Sequence, residues 1–179
     1  MNCLLGIALS ACAMASAACS AFASHSCGLV AYVCDQTTIT LQSPNDAWTA
    51  GTYGLAVTMD GTSAQCSVQM PDPPAAGGVQ GNCGSNTNLT LALTTVDTAH
   101  PIVCNGGACQ GMSATPIPGH FQLTLGIRSL PTEVGLNLSL NGNAVMSETI
   151  VPKTTTDEPN GEGCGTCTNA SATVSVAGG

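Results

Sequence analysis

Hydrophobic and polar residues alternate along much of the chain, and the alternation is most regular over residues 52–70 (TYGLAVTMDGTSAQCSVQM). Two alternating runs flank Asp60 and Gly61, a pair that favours the type I′ turn of a two-residue hairpin. With that turn, Met59 lies opposite Thr62, and the apolar residues of both runs share one face. The segment therefore predicts a β-hairpin whose buried face is formed by Tyr53, Leu55, Val57, Met59, Ala64, Cys66, Val68 and Met70.

The same alternation predicts short strands in most of the remaining chain. Asn141 and Gly142 mark a second hairpin turn, after which the alternation is mixed. Residues 152–163 are polar and predict a loop, and no amphipathic helical pattern follows residue 23. The predicted strands outside the first hairpin are residues 27–34, 37–42, 88–96, 120–127, 134–140, 143–151 and 168–176.

About eight short strands separated by turns predict an all-β fold, an immunoglobulin-like antiparallel β-sandwich stapled by disulfides. A small barrel or a jelly roll is the alternative. We predict that residues 24–179 form this single domain after a leader. Residues 71–85 and 97–119 are long loops rich in Pro and Gly. Because binding residues commonly lie on loops held by a rigid scaffold, we expect these loops to be contact surfaces.

Residues 1–23 have the pattern of a targeting leader. An apolar segment is followed by small residues and an A-x-A sequence at residues 21–23, which predicts a signal peptide cleaved before Ser24. No Lys or Arg precedes the apolar run, so a buried N-terminal helix is one alternative. A lipoprotein leader is another, because Cys12 and Cys19 each follow small residues and could carry a lipid anchor.

The charge balance limits the partners of the protein. Ten Asp and Glu residues face only two cations, Arg128 and Lys153, which gives a net charge of -8. Such a surface does not suit a nucleic-acid backbone or an anionic lipid surface. After the leader, no apolar run approaches the roughly 20 residues of a spanning helix. We therefore predict no nucleic-acid partner, and membrane contact only through a lipid anchor.

The cysteines indicate an oxidising compartment. The chain has 11 cysteines, of which three lie in the leader, and the remaining even number fits four disulfides. An extended segment over residues 27–34 would hold its two terminal cysteines ~20 Å apart, too far for a disulfide. The most local pairing would join Cys66–Cys83, Cys104–Cys109, Cys164–Cys167 and, as the remaining pair, Cys27–Cys34. Because the last pair is too far apart in an extended segment, at least one pair of this set should be wrong.

The Cys164-x-x-Cys167 spacing has a redox interpretation and a structural one. In a redox site the motif usually opens a helix, whose N-terminus lowers the pKa of the thiol. Here it precedes a predicted strand, so we favour a structural clip. A zinc site that also uses Cys104 and Cys109 is consistent with ligand type, but an oxidising compartment favours disulfides.

The chain has few groups suited to catalysis. His25, His100 and His120 are the only imidazoles, no G-x-S-x-G sequence is present, and no Ser or Cys has an assignable base. We predict no catalytic, cofactor-binding or metal-binding residue, and hence no enzyme. Trp48, the only Trp, is expected in the core rather than as a platform for sugar rings.

An acidic turn over residues 157–162 is the one candidate for an ion. Asp157, Glu158 and Glu162 supply carboxylate oxygens of the kind that Ca²⁺ prefers, but their spacing is not that of an EF-hand. The other interpretation is a solvated loop.

Two stretches, residues 50–70 (AGTYGLAVTMDGTSAQCSVQM) and 154–176 (TTTDEPNGEGCGTCTNASATVSV), resemble the uncharacterised secreted or lipid-anchored Cys-rich β-sandwich proteins of myxobacteria. The resemblance implies an envelope or exterior location and carries no activity. We therefore predict a non-enzymatic secreted or cell-envelope domain with an interaction or structural role and a protein or surface partner. The alternatives are a Ca²⁺-, small-ligand- or glycan-binding accessory module and a thiol oxidoreductase using Cys164 and Cys167.

Overall fold

The computed structural model describes residues 33–72, 78–98, 104–105, 108–109, 115–162 and 164–176. The chain divides into two compact units. The larger unit comprises Asp35–Thr155 and Asn169–Gly179, and the smaller comprises Met1–Cys34 and Thr156–Thr168.

Strands dominate the described residues. Pro44–Asp46 forms a 3-10 turn, and no described helix has the length and apolar character needed to cross a membrane. The strands are β1 (Gln36–Gln42), β2 (Gly51–Met59), β3 (Thr62–Met70), β4 (Val79–Gln80), β5 (Leu89–Thr98), β6 (Cys104–Asn105), β7 (Ala108–Cys109), β8 (Thr115–Ile127), β9 (Val134–Leu140), β10 (Asn143–Ile150), β11 (Lys153–Asp157) and β12 (Cys167–Ser175).

The strands form two main sheets that pack together. One has the order β11-β12-β1-β8-β5-β4, the other has the order β10-β9-β2-β3, and β6 pairs with β7. Side chains from both main sheets form one buried apolar cluster, so the predicted all-β sandwich is confirmed. Its most deeply buried side chains include Ile39, Leu41, Leu55, Val57, Leu91, Leu123, Leu125 and Leu136.

The first hairpin has the predicted turn, register and buried face. Asp60 and Gly61 have φ angles of 48° and 77°, as a type I′ turn requires, and Met59 pairs with Thr62. Leu55 lies opposite Cys66, and both side chains are buried. The turn therefore sets the register that places every second residue in the core.

The second hairpin turn is also confirmed, since Asn141 and Gly142 have φ angles of 50° and 84°. The register of β10 against β9 shifts between Ala144 and Met146. A bulge of this kind inserts one residue and interrupts the alternation of faces. It accounts for the mixed pattern after the turn, where Val145 and Met146 are both half-buried.

Four features of the sheets differ from the prediction. The predicted loops 71–85 and 97–119 contain strands: β4 lies in the first, and β6, β7 and the start of β8 lie in the second. Residues 153–157 form β11 within a segment predicted to be a loop; all five side chains are exposed, so no apolar alternation marks the strand. β8 begins at Thr115 rather than at His120. β1 is antiparallel to β8 but parallel to β12, an exception that the antiparallel prediction did not contain.

The cysteine pairing was predicted correctly in part. Cys66 and Cys83 form a disulfide, as expected. In the smaller unit Cys34 bonds to Cys167, 133 residues away, so both the Cys164–Cys167 and the Cys27–Cys34 pairs are wrong. Cys164 is itself disulfide-bonded. Cys27 and the side chains of Cys104 and Cys109 lie outside the described residues, so their pairing stays a prediction.

Candidate functional site

The described end of the predicted contact loop 71–85 is part of the sandwich edge. Val79 and Gln80 form β4, which pairs with β5 in one sheet. Asn82 then forms an isolated bridge with Ser67 of β3 in the other sheet. The segment thus joins the edges of the two sheets through backbone hydrogen bonds.

The crossing requires a glycine. The Gly81 amide donates to the Leu91 carbonyl over 2.7 Å, and the chain passes tightly between the two edges at this residue. A Cβ atom on Gly81 would lie 2.8 Å from the Ser67 carbonyl oxygen and 2.9 Å from the Leu91 Cβ. Neither neighbour is the end of a flexible side chain, so a larger residue would force the edges apart.

A disulfide fixes the segment beside this crossing. Ser67 and Asn82 exchange two backbone hydrogen bonds, and the residues next to them, Cys66 and Cys83, are covalently bonded with a Cα–Cα distance of 4.0 Å. Cys66 points into the core and is 3% exposed. The loop that follows is therefore held by covalent, hydrogen-bonded and packing contacts.

Two asparagines shape this loop by accepting backbone hydrogen bonds. Asn82 Oδ1 accepts from the Gly84 amide at 2.8 Å, and Asn86 Oδ1 accepts from the Asn88 amide at 3.0 Å. Backbone amides can only donate, so these bonds fix which end of each side chain is the oxygen. The NH₂ group of each asparagine is left to act as a donor.

Arg128 stands beside the same loop. Its backbone amide donates to the Asn88 carbonyl at 2.9 Å, which joins the end of β8 to the start of β5. Its side chain is exposed, and within the described part of the chain no carboxylate forms an ion pair with it. The guanidinium, with five N–H groups and no acceptor, is available to a ligand.

These groups surround an open cleft of about 520 Å³. We call it the loop cleft, and its polar lining consists of Gln80, Asn82, Asn86, Thr87, Thr90 and Arg128. It falls within the range of small-ligand sites, although its lining is more polar than most. The asparagines and the arginine give it an excess of hydrogen-bond donors.

Aromatic residues meet at a second cleft, of about 280 Å³, beside the 3-10 turn. Trp48 and Tyr53 contact edge to face with ring centroids 5.1 Å apart, and Trp48 Nε1 donates to the Phe121 carbonyl at 2.8 Å. Both rings are buried, which confirms that Trp48 is a core residue. Burial raises the pKa of the Tyr53 phenol above its ordinary value, although the hydroxyl donates to the Thr49 carbonyl at 2.9 Å.

Acidic groups lie at two further places. Asp60 and Glu133 line a polar cleft of about 540 Å³ beside the first hairpin turn. In the acidic turn 157–162 the Gly161 amide donates to the Glu158 carbonyl at 3.0 Å. Among the described residues, no three His, Cys, Asp or Glu side chains come close enough to hold a metal ion. Ca²⁺ binding at the acidic turn stays a prediction.

The histidines and the C-x-x-C cysteines are the remaining candidate groups from the sequence. His120 Nδ1 lies 3.9 Å from Asp46 Oδ2, and both side chains are partly exposed, while His25 and His100 lie outside the described residues. Cys164 and Cys167 are both disulfide-bonded, Cys167 to Cys34. The C-x-x-C pair that the redox hypothesis requires is therefore not formed, and these sulfurs are not thiolates for the suggested zinc site.

Only part of the loop cleft could be predicted from the sequence. The loop itself was predicted as a contact surface, but Asn82, Asn86 and Arg128 were not singled out. Asparagine two residues before a turn amide is a local signal that was available. The approach of Arg128 to this loop depends on the β5–β8 pairing, which no local pattern encodes.

Comparisons with known proteins gave no match to this chain, whether with family models, curated proteins or solved structures. The resemblance to myxobacterial Cys-rich proteins therefore stays a prediction.

Proposed function

We propose that this protein is a non-enzymatic interaction module that is secreted or held in the cell envelope, and that it binds a surface component at the loop cleft. The observation that carries the proposal is the way the loop is built. One disulfide, one backbone bridge and two asparagine turns hold a short exposed segment whose outward polar groups have no partner within the described chain.

The compartment is supported by the disulfides. Cys34–Cys167 and Cys66–Cys83 are bonded, and such bonds persist in oxidising, extracellular-type surroundings. The polar surface relies on hydroxyl and amide groups rather than on charges, because only 7% of the residues are charged. Secretion through residues 1–23, or anchoring at Cys12 or Cys19, is part of the proposal.

The rigidity of the loop favours binding over a purely structural role. A segment ordered before binding loses less conformational entropy when a partner docks, so less of the contact free energy is offset by ordering. A loop that served only to close the sandwich edge would not need donors turned away from the protein. The loop cleft combines a loop that is ordered before binding with donor groups that face away from the protein.

The proposal is tested with full-length protein that is secreted through its own leader and labelled biosynthetically with an isotope, so that Lys153 stays unmodified in the wild type. Intact cells and isolated envelopes of the producing organism are incubated with wild type, with a triple variant (Asn82→Asp, Asn86→Asp, Arg128→Gln) and with Lys153→Gln. Lys153→Gln is the control for the loss of a cation, because it removes the other cation, on the exposed strand β11. Circular dichroism and thermal unfolding check that each variant is folded.

We expect saturable binding by wild type and by the control, and a loss of about tenfold or more in affinity for the triple variant, since hydrogen bonds to charged groups are among the stronger ones. Absence of wild-type binding to cells and envelopes would contradict the proposal. Equal binding by the folded triple variant would contradict the assignment of the loop cleft.

A further inference from the structure

We propose that the ligand of the loop cleft is an acidic sugar, a uronate unit of a glycan, whose carboxylate contacts Arg128 and whose hydroxyls contact the amide and threonine side chains. This inference rests on the proposed function and specifies the ligand class of the same site.

The excess of hydrogen-bond donors in the cleft indicates a ligand that is rich in hydrogen-bond acceptors. The side-chain oxygens of Asn82 and Asn86 are occupied by the Gly84 and Asn88 amides. Each oxygen keeps one lone pair, whereas each NH₂ group has two hydrogens to donate and the guanidinium of Arg128 adds only donors. A ligand that matches this lining must present acceptors, and a carboxylate presents two acceptor oxygens that fit the fork of an arginine.

The local charge of the cleft, in contrast to the net charge of -8, suits the same ligand. Although the chain carries 10 acidic residues against 2 basic ones, Arg128 has no ion pair in the described part of the structure. In so acidic a chain a nearby carboxylate would be the ordinary partner of an arginine. A planar guanidinium that is left open can bind a ligand carboxylate with two parallel hydrogen bonds.

The hydroxyl groups distinguish a sugar from a bare carboxylate. Thr87 and Thr90 line the cleft and are exposed, and a hydroxyl both donates and accepts. Sugar hydroxyls have the same dual character. With about 520 Å³ of space, the cleft has room for the remainder of a sugar ring beyond its carboxylate.

The backbone of this edge is unfavourable for an acidic peptide. A peptide strand would add to a sheet by pairing with free backbone groups. At this edge the Gly81 amide is bonded to Leu91, and Ser67 and Asn82 are bonded to each other. At Gly81, Ser67 and Asn82, the loop therefore already occupies the backbone positions that a peptide strand would need, so recognition beside the crossing falls to side chains.

The chain offers conservative variants that keep the loop intact. Asn82→Asp and Asn86→Asp each preserve the oxygen that accepts the backbone hydrogen bond. Each replaces the outward NH₂ donor with a negatively charged acceptor, which repels a carboxylate. Arg128→Gln removes the charge but leaves the backbone bond to Asn88 in place. Lys153→Gln is again the control for the loss of a cation.

The experiment is calorimetric titration of secreted full-length protein with trigalacturonate at low salt. Its neutral methyl ester and an aspartate-rich peptide of equal charge are titrated in parallel. We expect binding of trigalacturonate only, about tenfold or more weaker with each of Asn82→Asp, Asn86→Asp and Arg128→Gln, and unchanged with Lys153→Gln. Since an exposed charge pair is screened by ions, the affinity should also fall when salt is raised to 0.5 M, where the Debye length is ~4 Å.

Several results would overturn the inference. Equal binding of the methyl ester would remove the carboxylate from recognition, and equal binding of the peptide would remove the sugar. Absence of trigalacturonate binding, or binding unaffected by the three variants, would overturn the ligand class. If the envelope binding described above still depends on the loop cleft in those cases, the proposed function survives and only the acidic sugar is wrong.

Discussion

Ser67 and Asn82 exchange two backbone hydrogen bonds, of 2.8 and 2.7 Å, across the edges of the two main sheets. The neighbouring residues Cys66 and Cys83 are covalently bonded. This pairing converts the end of a Pro/Gly-rich segment into a fixed support for the loop cleft. The stability of this edge and the proposed binding at the loop cleft therefore depend on the same contacts.

Removing the Cys66–Cys83 disulfide should loosen the loop cleft while the sandwich remains folded. The disulfide closes a loop of 17 residues, for which the chain-entropy model gives a stabilisation of about 3 kcal/mol. We expect the double variant Cys66→Ala, Cys83→Ala to lose that much unfolding free energy in denaturant titrations. Amide hydrogen exchange should increase at residues 81–84 first. Unchanged exchange there would contradict the bracing role.

Removing the Cys34–Cys167 disulfide should lower the unfolding free energy more than removing the Cys66–Cys83 disulfide. It joins residues separated by 133 positions, and the same model gives about 5 kcal/mol for a loop of that length. The double variant Cys34→Ala, Cys167→Ala should therefore unfold at a lower denaturant concentration than the Cys66–Cys83 variant. Amide exchange at residues 81–84 before global unfolding should stay as in the wild type, which separates the two effects. The reverse order of stabilities would count against these pairings.

Gly81→Ala should destabilise the edge through a steric clash. The added Cβ would come within 2.8 Å of the Ser67 carbonyl oxygen, and we expect a loss of roughly 1–3 kcal/mol as the edges move apart. Gly135→Ala is the matched control, because its Cβ would meet Thr58 at an ordinary 3.5 Å. Chemical denaturation of both variants measures the difference. Equal unfolding free energies of the Gly81→Ala and Gly135→Ala variants would contradict the steric clash at Gly81.

Tyr53 should make the protein less stable at alkaline pH. Burial raises the pKa of its phenol above 10.0, so the unfolded chain loses this proton at a lower pH than the folded chain. The unfolding free energy should therefore fall as pH rises from about 10 towards the folded-state pKa. Tyr53→Phe removes that slope and, by losing the hydrogen bond to Thr49, costs about 1 kcal/mol at neutral pH. Denaturant titrations at pH 8, 10 and 11 compare the two proteins; the same alkaline slope in both would exclude Tyr53 as its source.

Local signals were sufficient for the hairpins. Asp60 and Gly61 encode their turn through their own backbone preferences, and the turn then places Leu55 opposite Cys66. The alternation of apolar and polar residues did not predict β11, because all side chains of this strand are exposed and none marks a buried face.

Long-range pairing explains what else was not predicted. The parallel alignment of β1 with β12 and the Cys34–Cys167 disulfide join residues more than 130 positions apart. No local pattern reports on such contacts. The loop cleft also depends in part on a long-range contact. Its asparagine turns are local, whereas Arg128 reaches the loop through the β5–β8 pairing.

The most direct test of a disulfide-braced module outside the cytoplasm is peptide mapping of the natively produced protein. The protein is alkylated without reduction, digested and analysed by mass spectrometry. We predict one peptide pair linked through Cys66 and Cys83, another linked through Cys34 and Cys167, and a mature chain that begins at Ser24 or at a lipid-modified Cys12 or Cys19. Alkylated Cys66 and Cys83 in a chain that retains Met1 would contradict both the bracing and the compartment.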